Sequence, residues 1–429
     1  MKYPRMRTLF VAGNVLLFLV AAISIVTDHL RPWKPLQKAY YKMAAETARK
    51  KMEAASEPEE KAQFEREHKF WRSRPLEIKQ VILNDLGRVD RCITCHVGHD
   101  PLTNAPQTND FTEHPFAAPA NEVHKLHPIE KFGCAVCHGG QGLATTIKDG
   151  HGEVEHWEQP LLRGVLIQAS CAKCHADVES LKVEGRPYAT AITRAKQIMQ
   201  EKGCIGCHQI RGVGGPISVD LAWETADKPL TRIDFSHTGL PKEEWTLKNW
   251  IKIHFTKDPA ELSPGDPKAE FNTEPIAPSG MPYFAMSDAD ADAVTAYVLG
   301  LTTEKIPKTH YVYAPPAPEP QFASATDHGR YVFLKYGCAA CHAADGRGGI
   351  RNFNYENEVE PNLRKTMGTF SREELVKKIQ DGVPVVGKKD PKGPTPPLYM
   401  PPWKDKIKGR ELEDLVTYLQ SIAEKTEEW

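Results

Sequence analysis

The sequence predicts a mainly α-helical protein built in several parts: an N-terminal transmembrane helix, a helical stalk, a compact module of short segments, and two related C-terminal helical domains. Three observations support this prediction. Residues 8–27 are apolar, all ten cysteines recur in one five-residue motif, and the second half of the 429-residue chain contains an internal repeat. A near-neutral formal charge of −1 gives no chain-wide basic signal for nucleic acid. A mean hydropathy of −0.48 excludes a polytopic membrane protein.

The apolar stretch at residues 8–27 has the length of a helix that spans a bilayer. Lys2, Arg5 and Arg7 precede it, so the positive-inside rule keeps residues 1–7 in the cytoplasm and exports the rest of the chain. A cleaved signal peptide is the alternative. The stretch lacks a clean A-x-A cleavage site, and its apolar run is longer than that of a usual signal peptide. We therefore predict an uncleaved membrane anchor.

Residues 28–88 are predicted to form a helical stalk, because this part of the chain is rich in the strong helix formers Ala, Lys, Glu and Gln. Ser56 and Glu59 have the spacing of a capping box, and Pro58 falls in the first turn that would follow. This pattern predicts a second helix after one over about residues 36–55. A solvated linker is the alternative.

Five copies of the motif C-x-x-C-H contain every cysteine of the chain. In this motif two thiols add to the vinyl groups of one haem, and the histidine ligates its iron. The predicted attachment residues are Cys92, Cys95, Cys134, Cys137, Cys171, Cys174, Cys204, Cys207, Cys338 and Cys341. The predicted proximal iron ligands are His96, His138, His175, His208 and His342.

Two other uses of C-x-x-C explain this pattern less well. Zinc ribbons combine such pairs in twos, so five pairs leave one over, and zinc does not explain the constant histidine. A redox-active C-x-x-C normally occurs once on its domain. We therefore predict five covalently attached haem c groups. In bacteria these are attached outside the cytoplasmic membrane, so the predicted location is the bacterial inner membrane, with the haem domains on the periplasmic or outer side.

Three of the motifs lie close together, which predicts a compact triheme module over residues 89–187. Because there are few residues per haem, they cannot form separate apolar cores. The porphyrins must therefore supply much of the buried surface. The distal ligands we favour are His114, His127 and His151. His124 and His156 are substitutes. His99 follows its own motif too closely to cross its haem plane, although it can serve a neighbouring haem.

The last two motifs belong to the internal repeat. An offset of 134 residues places Gly337-Cys338 on Gly203-Cys204. The glycines after the motifs also align, Gly212, Gly214 and Gly215 with Gly346, Gly348 and Gly349. Each copy has an amphipathic helix before its motif, and later a methionine followed by proline and a final helix. In the first copy that final helix is predicted to start at Ser287, with Asp290 in capping position. In the second, the apolar stripe is Leu412, Leu415, Val416 and Leu419.

These features resemble the class I cytochromes c, over about residues 188–303 and 323–425. In that family a haem motif after an N-terminal helix pairs with a methionine ahead of the C-terminal helix. The resemblance implies that Met281 ligates the fourth haem, with Met286 as a local rival, and that Met400 ligates the fifth. It also implies domains over residues 188–305 and 323–429. In the Pro-rich linker over 306–322, the run from Ala314 to Pro320 should be extended, semi-rigid polyproline II, and it can let the last domain swing.

The whole arrangement resembles the membrane-anchored multihaem cytochromes of bacterial quinol-oxidising respiratory complexes, and the run from Phe132 to Gly142 shares this resemblance. It implies an electron relay from an integral membrane quinol-oxidising subunit to a periplasmic or membrane-bound acceptor protein. The chain would then have no catalytic residues of its own. The alternative is an enzyme, a multihaem reductase or a dihaem-type peroxidase with one open haem site. None of the five motifs departs from C-x-x-C-H, and both repeat copies retain a methionine, which favours the relay.

Overall fold

A computed structural model describes residues 4–100, 114, 122–155, 157–269, 274–304, 306–314 and 320–424. Helices dominate these ranges, and paired strands occur there only as three short antiparallel hairpins. The predicted mainly α class is therefore confirmed. The chain divides into two compact units, Met1–Leu162 and Arg163–Trp429. This boundary falls inside the predicted triheme module, because the segment that contains the third motif packs on the helices of the second unit.

The first unit contains seven α-helices among its described residues: α1 Pro4–His29, α2 Trp33–Ala54, α3 Pro58–Ser73, α4 Glu122–Leu126, α5 Ile129–Phe132, α6 Ala135–His138 and α7 Ile147–Gly150. It also has the hairpin β1 Val81–Leu83 and β2 Arg88–Asp90, and 3₁₀ turns at Asn84–Leu86, Cys92–Thr94 and Val97–His99. Among the described residues, α1 alone is long and apolar enough to cross a membrane, and its side chains are largely exposed. A signal sequence can have the same length and apolar composition.

The helices α2 and α3 of the predicted stalk form a hairpin with a buried aromatic face. Tyr40 and Tyr41 lie 5.5 and 5.7 Å from Trp71 between ring centroids, and Val97 joins the same small core. This packing distinguishes the segment from a solvated linker. The capping box predicted at Ser56 is wrong. The helix takes Glu57 as its N-cap, without a side-chain capping bond, because Pro58 at the first helical position holds the preceding residue extended.

The second unit contains the helices α8 Thr190–Lys202, α9 Leu247–Thr256, α10 Pro259–Leu262, α11 Asp288–Gly300, α12 Ala325–Lys335, α13 Ala339–His342, α14 Leu363–Thr366, α15 Arg372–Asp381 and α16 Gly409–Ser421. Its hairpins pair β3 Lys182–Val183 with β4 Arg186–Pro187, and β5 Gln209–Ile210 with β6 Val213–Gly214. Short 3₁₀ turns cover Gly164–Lys173, Cys204–Gly206, Leu230–Arg232, Lys242–Glu244, Lys308–His310 and Met367–Thr369, and a π-helical turn covers Leu221–Ala226.

Two apolar cores organise this unit, one for each copy of the repeat. The first is built from α8, α9 and α11, and the second from α12, α15 and α16. The start of α11 is confirmed, since the Ser287 side chain accepts a hydrogen bond from the Asp290 amide. The predicted stripe of α16 is also confirmed, because all four of its residues are buried. Residues 315–319 of the predicted Pro-rich linker lie outside the described residues. The two copies pack together within one compact unit, and the swing of the last domain stays a prediction.

Candidate haem-attachment sites

No disulfide joins any of the ten cysteines, all of which lie among the described residues, and each C-x-x-C-H motif forms one tight turn. The same backbone hydrogen bond closes every turn: the histidine amide donates to the carbonyl of the first cysteine. The distances are 2.9 Å at His96, His138 and His175, and 3.0 Å at His208 and His342. One turn therefore holds two thiols and one imidazole close together. This donor set fits covalent attachment of haem c, with the imidazole as the proximal iron ligand.

The first two attachment turns lie beside each other in the first unit. A carboxylate oxygen of Asp90 and the Sγ atoms of Cys92 and Cys134 all lie within 4.8 Å of one another. The neighbouring Cys134 thiol and burial raise the pKa of the Cys92 thiol. The structure therefore brings the first cysteine of the first motif against the first cysteine of the second.

Two of the favoured distal histidines surround the first motif. One ring nitrogen from each of His96, His114 and His151 lies within 4.8 Å of the other two. The ring centroids of His96 and His114 are 4.9 Å apart, and those of His114 and His151 are 6.1 Å apart. Burial, reinforced by the neighbouring histidines, lowers the pKa of His96 to about 4. The imidazole is therefore neutral near pH 7, which is the form that ligates metals.

The third favoured residue, His127, is placed differently from the other two. Its Nδ1 donates to the Val123 carbonyl oxygen at 2.9 Å, and its ring lies on Phe132. The substitute His124 is close enough to His138 to contribute to the lowering of the His138 pKa, which burial dominates. The rings of His124 and His99 are 5.5 Å apart. His124 is thus a candidate distal residue near the second motif, and His156 lies outside the described residues.

The third motif lies at the end of the 3₁₀ turn Gly164–Lys173, and this turn packs on α11. The amide of Val312 donates to the carbonyl of Cys174 at 2.7 Å, and the amide of Ala176 donates to the carbonyl of Val312 at 3.1 Å. His310, two residues earlier, is buried. The sequence analysis missed this histidine, because no motif marks it and only the fold brings its segment beside the third motif.

The proximal imidazoles of the last two motifs are oriented in the same way. The Nδ1 of His208 donates to the Val219 carbonyl at 2.9 Å, and that of His342 donates to the Pro361 carbonyl at 3.4 Å. A hydrogen bond at Nδ1 fixes the ring and leaves Nε2 as the ligating atom, as at many metal-bound histidines.

The predicted methionines lie with the attachment cysteines of their own domains. Met281 and Met286 are both half-buried and pack, like Cys204, against the first core. Met400 packs, like Cys338, against the second core, and its carbonyl accepts a hydrogen bond from the Val383 amide at 2.7 Å. Each methionine is therefore positioned by the core of its domain. The structure keeps both Met281 and Met286 as candidates at the fourth motif.

A further candidate at the fourth motif is His254 on α9. Its Nδ1 donates to the Trp250 carbonyl at 2.6 Å, which leaves Nε2 available. Burial, with Lys228 and His208 nearby, lowers the pKa of His254. The sequence analysis missed this residue, although its position one turn after Trp250 on an amphipathic helix was visible.

The last two attachment turns contact each other through glycines. A Cβ on Gly203 would collide with the backbone of Ala340, and a Cβ on Gly337 would collide with the backbone of Gly206. Positions 206 and 340 are equivalent in the repeat, so the contact is reciprocal, as in a two-fold interface. Cys207 and Cys341 share a hydrogen bond, which lowers the pKa of the Cys207 thiol and raises that of Cys341.

Comparison with known proteins defines the class. Residues 192–302 and 326–423 match the family model described as cytochrome c. These stretches coincide with the two repeat copies and their apolar cores, so the chain contains two cytochrome c domains. These two domains support an electron-transfer haem protein of the c type, and their family implies covalently bound haem c. Searches of curated proteins and of solved structures returned no match.

Proposed function

We propose that the protein is a membrane-anchored pentahaem c-type cytochrome that relays electrons. The observation that supports five haem groups is the shared geometry of the five turns. All five close with the same hydrogen bond, and no disulfide joins any of the ten cysteines, all of which lie among the described residues. Three of these turns lie outside the stretches that match the cytochrome c model. Their likeness to the two turns inside those stretches is the reason to assign them the same cofactor.

The arrangement of the turns within each unit suits electron relay. Cys92 lies against Cys134, and Cys207 lies against Cys341, so two pairs of attachment sites are in contact. The third motif packs on α11 of the first cytochrome c domain. Haem groups bonded to such neighbouring residues are separated by few atoms, which is what rapid electron exchange requires.

The helix α1 supports a single N-terminal membrane anchor. It is long, apolar and exposed, and Arg5 and Arg7 lie at its N-terminal end. In this proposal the helix crosses the bacterial inner membrane, and the haem domains lie on the periplasmic or outer side. One helix cannot enclose a quinone site. The electron donor is therefore an integral membrane quinol-oxidising subunit, and the acceptor is a periplasmic or membrane-bound redox protein. No nucleic acid is involved.

Haem counting on the native protein tests this function. The full-length protein, purified from membranes in detergent, should exceed the mass of the bare chain by five haem groups that survive acid-acetone extraction. Peptide mapping should find haem on all five motifs, and integral membrane subunits should co-purify. Fewer than five groups, or a soluble protein that lacks the first helix, would contradict the proposal.

The enzyme alternative depends on whether one iron has an open position. The observation that bears on it is at the third motif, since all three favoured distal histidines lie in the other compact unit. His310 is the buried histidine in the same unit as this motif, on the segment that bonds to it. A relay should have five low-spin haems that bind carbon monoxide and cyanide weakly. A high-spin haem that binds either ligand stoichiometrically and turns over peroxide or a nitrogen oxide would favour the enzyme.

A further inference from the structure

The side chain of Asp90 contacts both of the first two attachment turns. It is the last residue of β2, and only 2% of its surface is exposed. One carboxylate oxygen accepts a hydrogen bond from the Cys92 amide at 3.0 Å. The other accepts two, from the Cys134 amide at 2.7 Å and the Ala135 amide at 2.8 Å. A single buried carboxylate thus caps the start of two turns that are separated by more than forty residues in the chain.

A carboxylate suits this position better than any neutral side chain. Aspartate is among the preferred residues for capping a helical turn, because its oxygens accept bonds from amides that have no partner within the turn. Bonds from N–H groups to an ionised acceptor are stronger than neutral ones. Three donors converge here, and a carboxylate has acceptor sites for all of them. An asparagine would instead turn an NH₂ group towards at least one amide donor.

The surrounding backbone is shaped to bring the second turn against Asp90. A Cβ on Gly133 would lie 2.7 Å from Leu83 Cδ1 and 3.1 Å from Asp90 Oδ2, so only glycine fits directly before Cys134. Beyond the second motif, the Gly142 carbonyl accepts a hydrogen bond from the Arg91 amide at 2.8 Å. The second turn is therefore fastened to the end of β2 on both sides of its motif.

We propose that Asp90 is a shared positioning residue that sets the separation of the first two attachment turns and selectively lowers the reduction potentials of the two haems attached there. This inference rests on the proposed function. A ferric haem carries one more positive charge than a ferrous haem, so a nearby carboxylate stabilises the oxidised form. Because Asp90 is buried, solvent and salt screen its charge weakly. Its oxygen lies within 4.8 Å of one attachment sulfur from each motif, so both haems should feel the same charge.

The test compares three variants of the full-length holoprotein. Asp90→Asn removes the charge, Asp90→Glu retains it, and Asp85→Asn is the matched control, because Asp85 lies on the same hairpin but is exposed. Spectroelectrochemical titration should show two of the five components shifted to higher potential in Asp90→Asn. The other three should be unmoved. Asp90→Glu should restore the two components towards their original values, and Asp85→Asn should leave all five in place.

Several results would overturn the inference. These are a shift of one component alone, a uniform shift of all five, no shift, or an equal shift in Asp85→Asn. If Asp90→Asn accumulates with incomplete haem, peptide mapping decides instead. Loss from both the Cys92 and the Cys134 peptides supports the inference, whereas loss from one of them alone or from all five motifs contradicts it. Haem counting on the unaltered protein tests the five-haem proposal separately, since this comparison needs only the first two motifs.

Discussion

Both units place two attachment turns in contact, but they do so by different means. In the first unit a buried carboxylate joins the turns, and other buried polar groups surround them. The fully buried Gln37 donates to the Glu77 and Thr94 carbonyls at 2.8 and 3.1 Å, and Lys79 pairs with Asp100. In the second unit two helical cores carry the turns, and the contact between them is glycine against backbone. Where regular helices supply a large apolar core, close packing is sufficient. Where they do not, charged and polar side chains hold the turns.

The haems of the two cytochrome c domains should also differ from the others in their iron ligands. Methionine ligation raises haem potential relative to bis-histidine ligation, so the haems of the cytochrome c domains should titrate above most of the others. Met400→Leu should lower the potential of one haem by about 0.1–0.3 V, part of the roughly 0.8 V range that axial ligands control. It should also abolish one sulfur-to-iron absorption band. The buried Met367 gives the control, since Met367→Leu should leave that band unchanged. An unaltered spectrum in Met400→Leu would remove Met400 as a ligand.

Breaking the buried ion pair of the first unit should strongly lower the free energy of unfolding. Lys79 and Asp100 are each 6% exposed, so Lys79→Met removes the ammonium group that pairs with a buried carboxylate. We expect a loss of about 3–5 kcal/mol in the free energy of unfolding, measured by denaturant titration of the holoprotein. Adding Asp100→Asn should recover much of that loss. The pair of Lys34 and Asp28, whose carboxylate is 68% exposed, is the control, and Lys34→Met should cost less than about 1 kcal/mol. Equal losses in the two lysine variants would contradict the view that buried charged and polar side chains stabilise this unit.

Adding a single methyl group at the glycine contact between the two cytochrome c domains should destabilise the protein. Gly206 has an ordinary backbone conformation, and its repeat equivalent is Ala340, so the turn itself tolerates a side chain. Gly206→Ala should nevertheless cost about 1–3 kcal/mol, because the new Cβ meets the Gly337 backbone. Gly368→Ala meets nothing closer than 3.9 Å and should stay within about 0.5 kcal/mol. Thermal unfolding followed by haem absorbance measures both, and a neutral Gly206→Ala would show that the two domains do not pack this way.

The smallest expected change in stability concerns the carboxyl group of Glu360, near the contact between the two cytochrome c domains. Burial raises the pKa of Glu360, although Asn352 donates a hydrogen bond to it at 2.8 Å. The folded state therefore binds this proton more tightly than the unfolded state does. Stability should rise slightly as the pH falls from above the folded pKa towards the unfolded value near 4.5. Glu360→Gln should remove this part of the pH dependence and slightly stabilise the protein at neutral pH. Unfolding midpoints between pH 4 and 8 would measure it, and identical pH profiles would contradict it.

Local sequence signals predicted much of this molecule. The five turns, the Ser287 cap of α11 and the buried stripe of α16 each depend on residues within a few positions of one another. Features that depend on distant contacts were missed. The third motif packs with the second unit because Gly300 allows α11 to approach Ala169 and Ala172, and no spacing rule marks that approach. No sequence pattern marks Asp90, since the second set of amides it binds comes from a turn far along the chain.

The reciprocal glycine contact also implies an order of assembly. Covalent loading requires that each C-x-x-C-H segment enter the enzyme that bonds its sulfurs to the vinyl groups. Once the two cytochrome c domains have docked, Cys207 faces Cys341 and the neighbouring backbones touch. Both segments must therefore receive their haem before the domains close on each other. We therefore expect that, in this half of the protein, covalent loading precedes the docking of the two domains, and that a chain that docks first is not loaded.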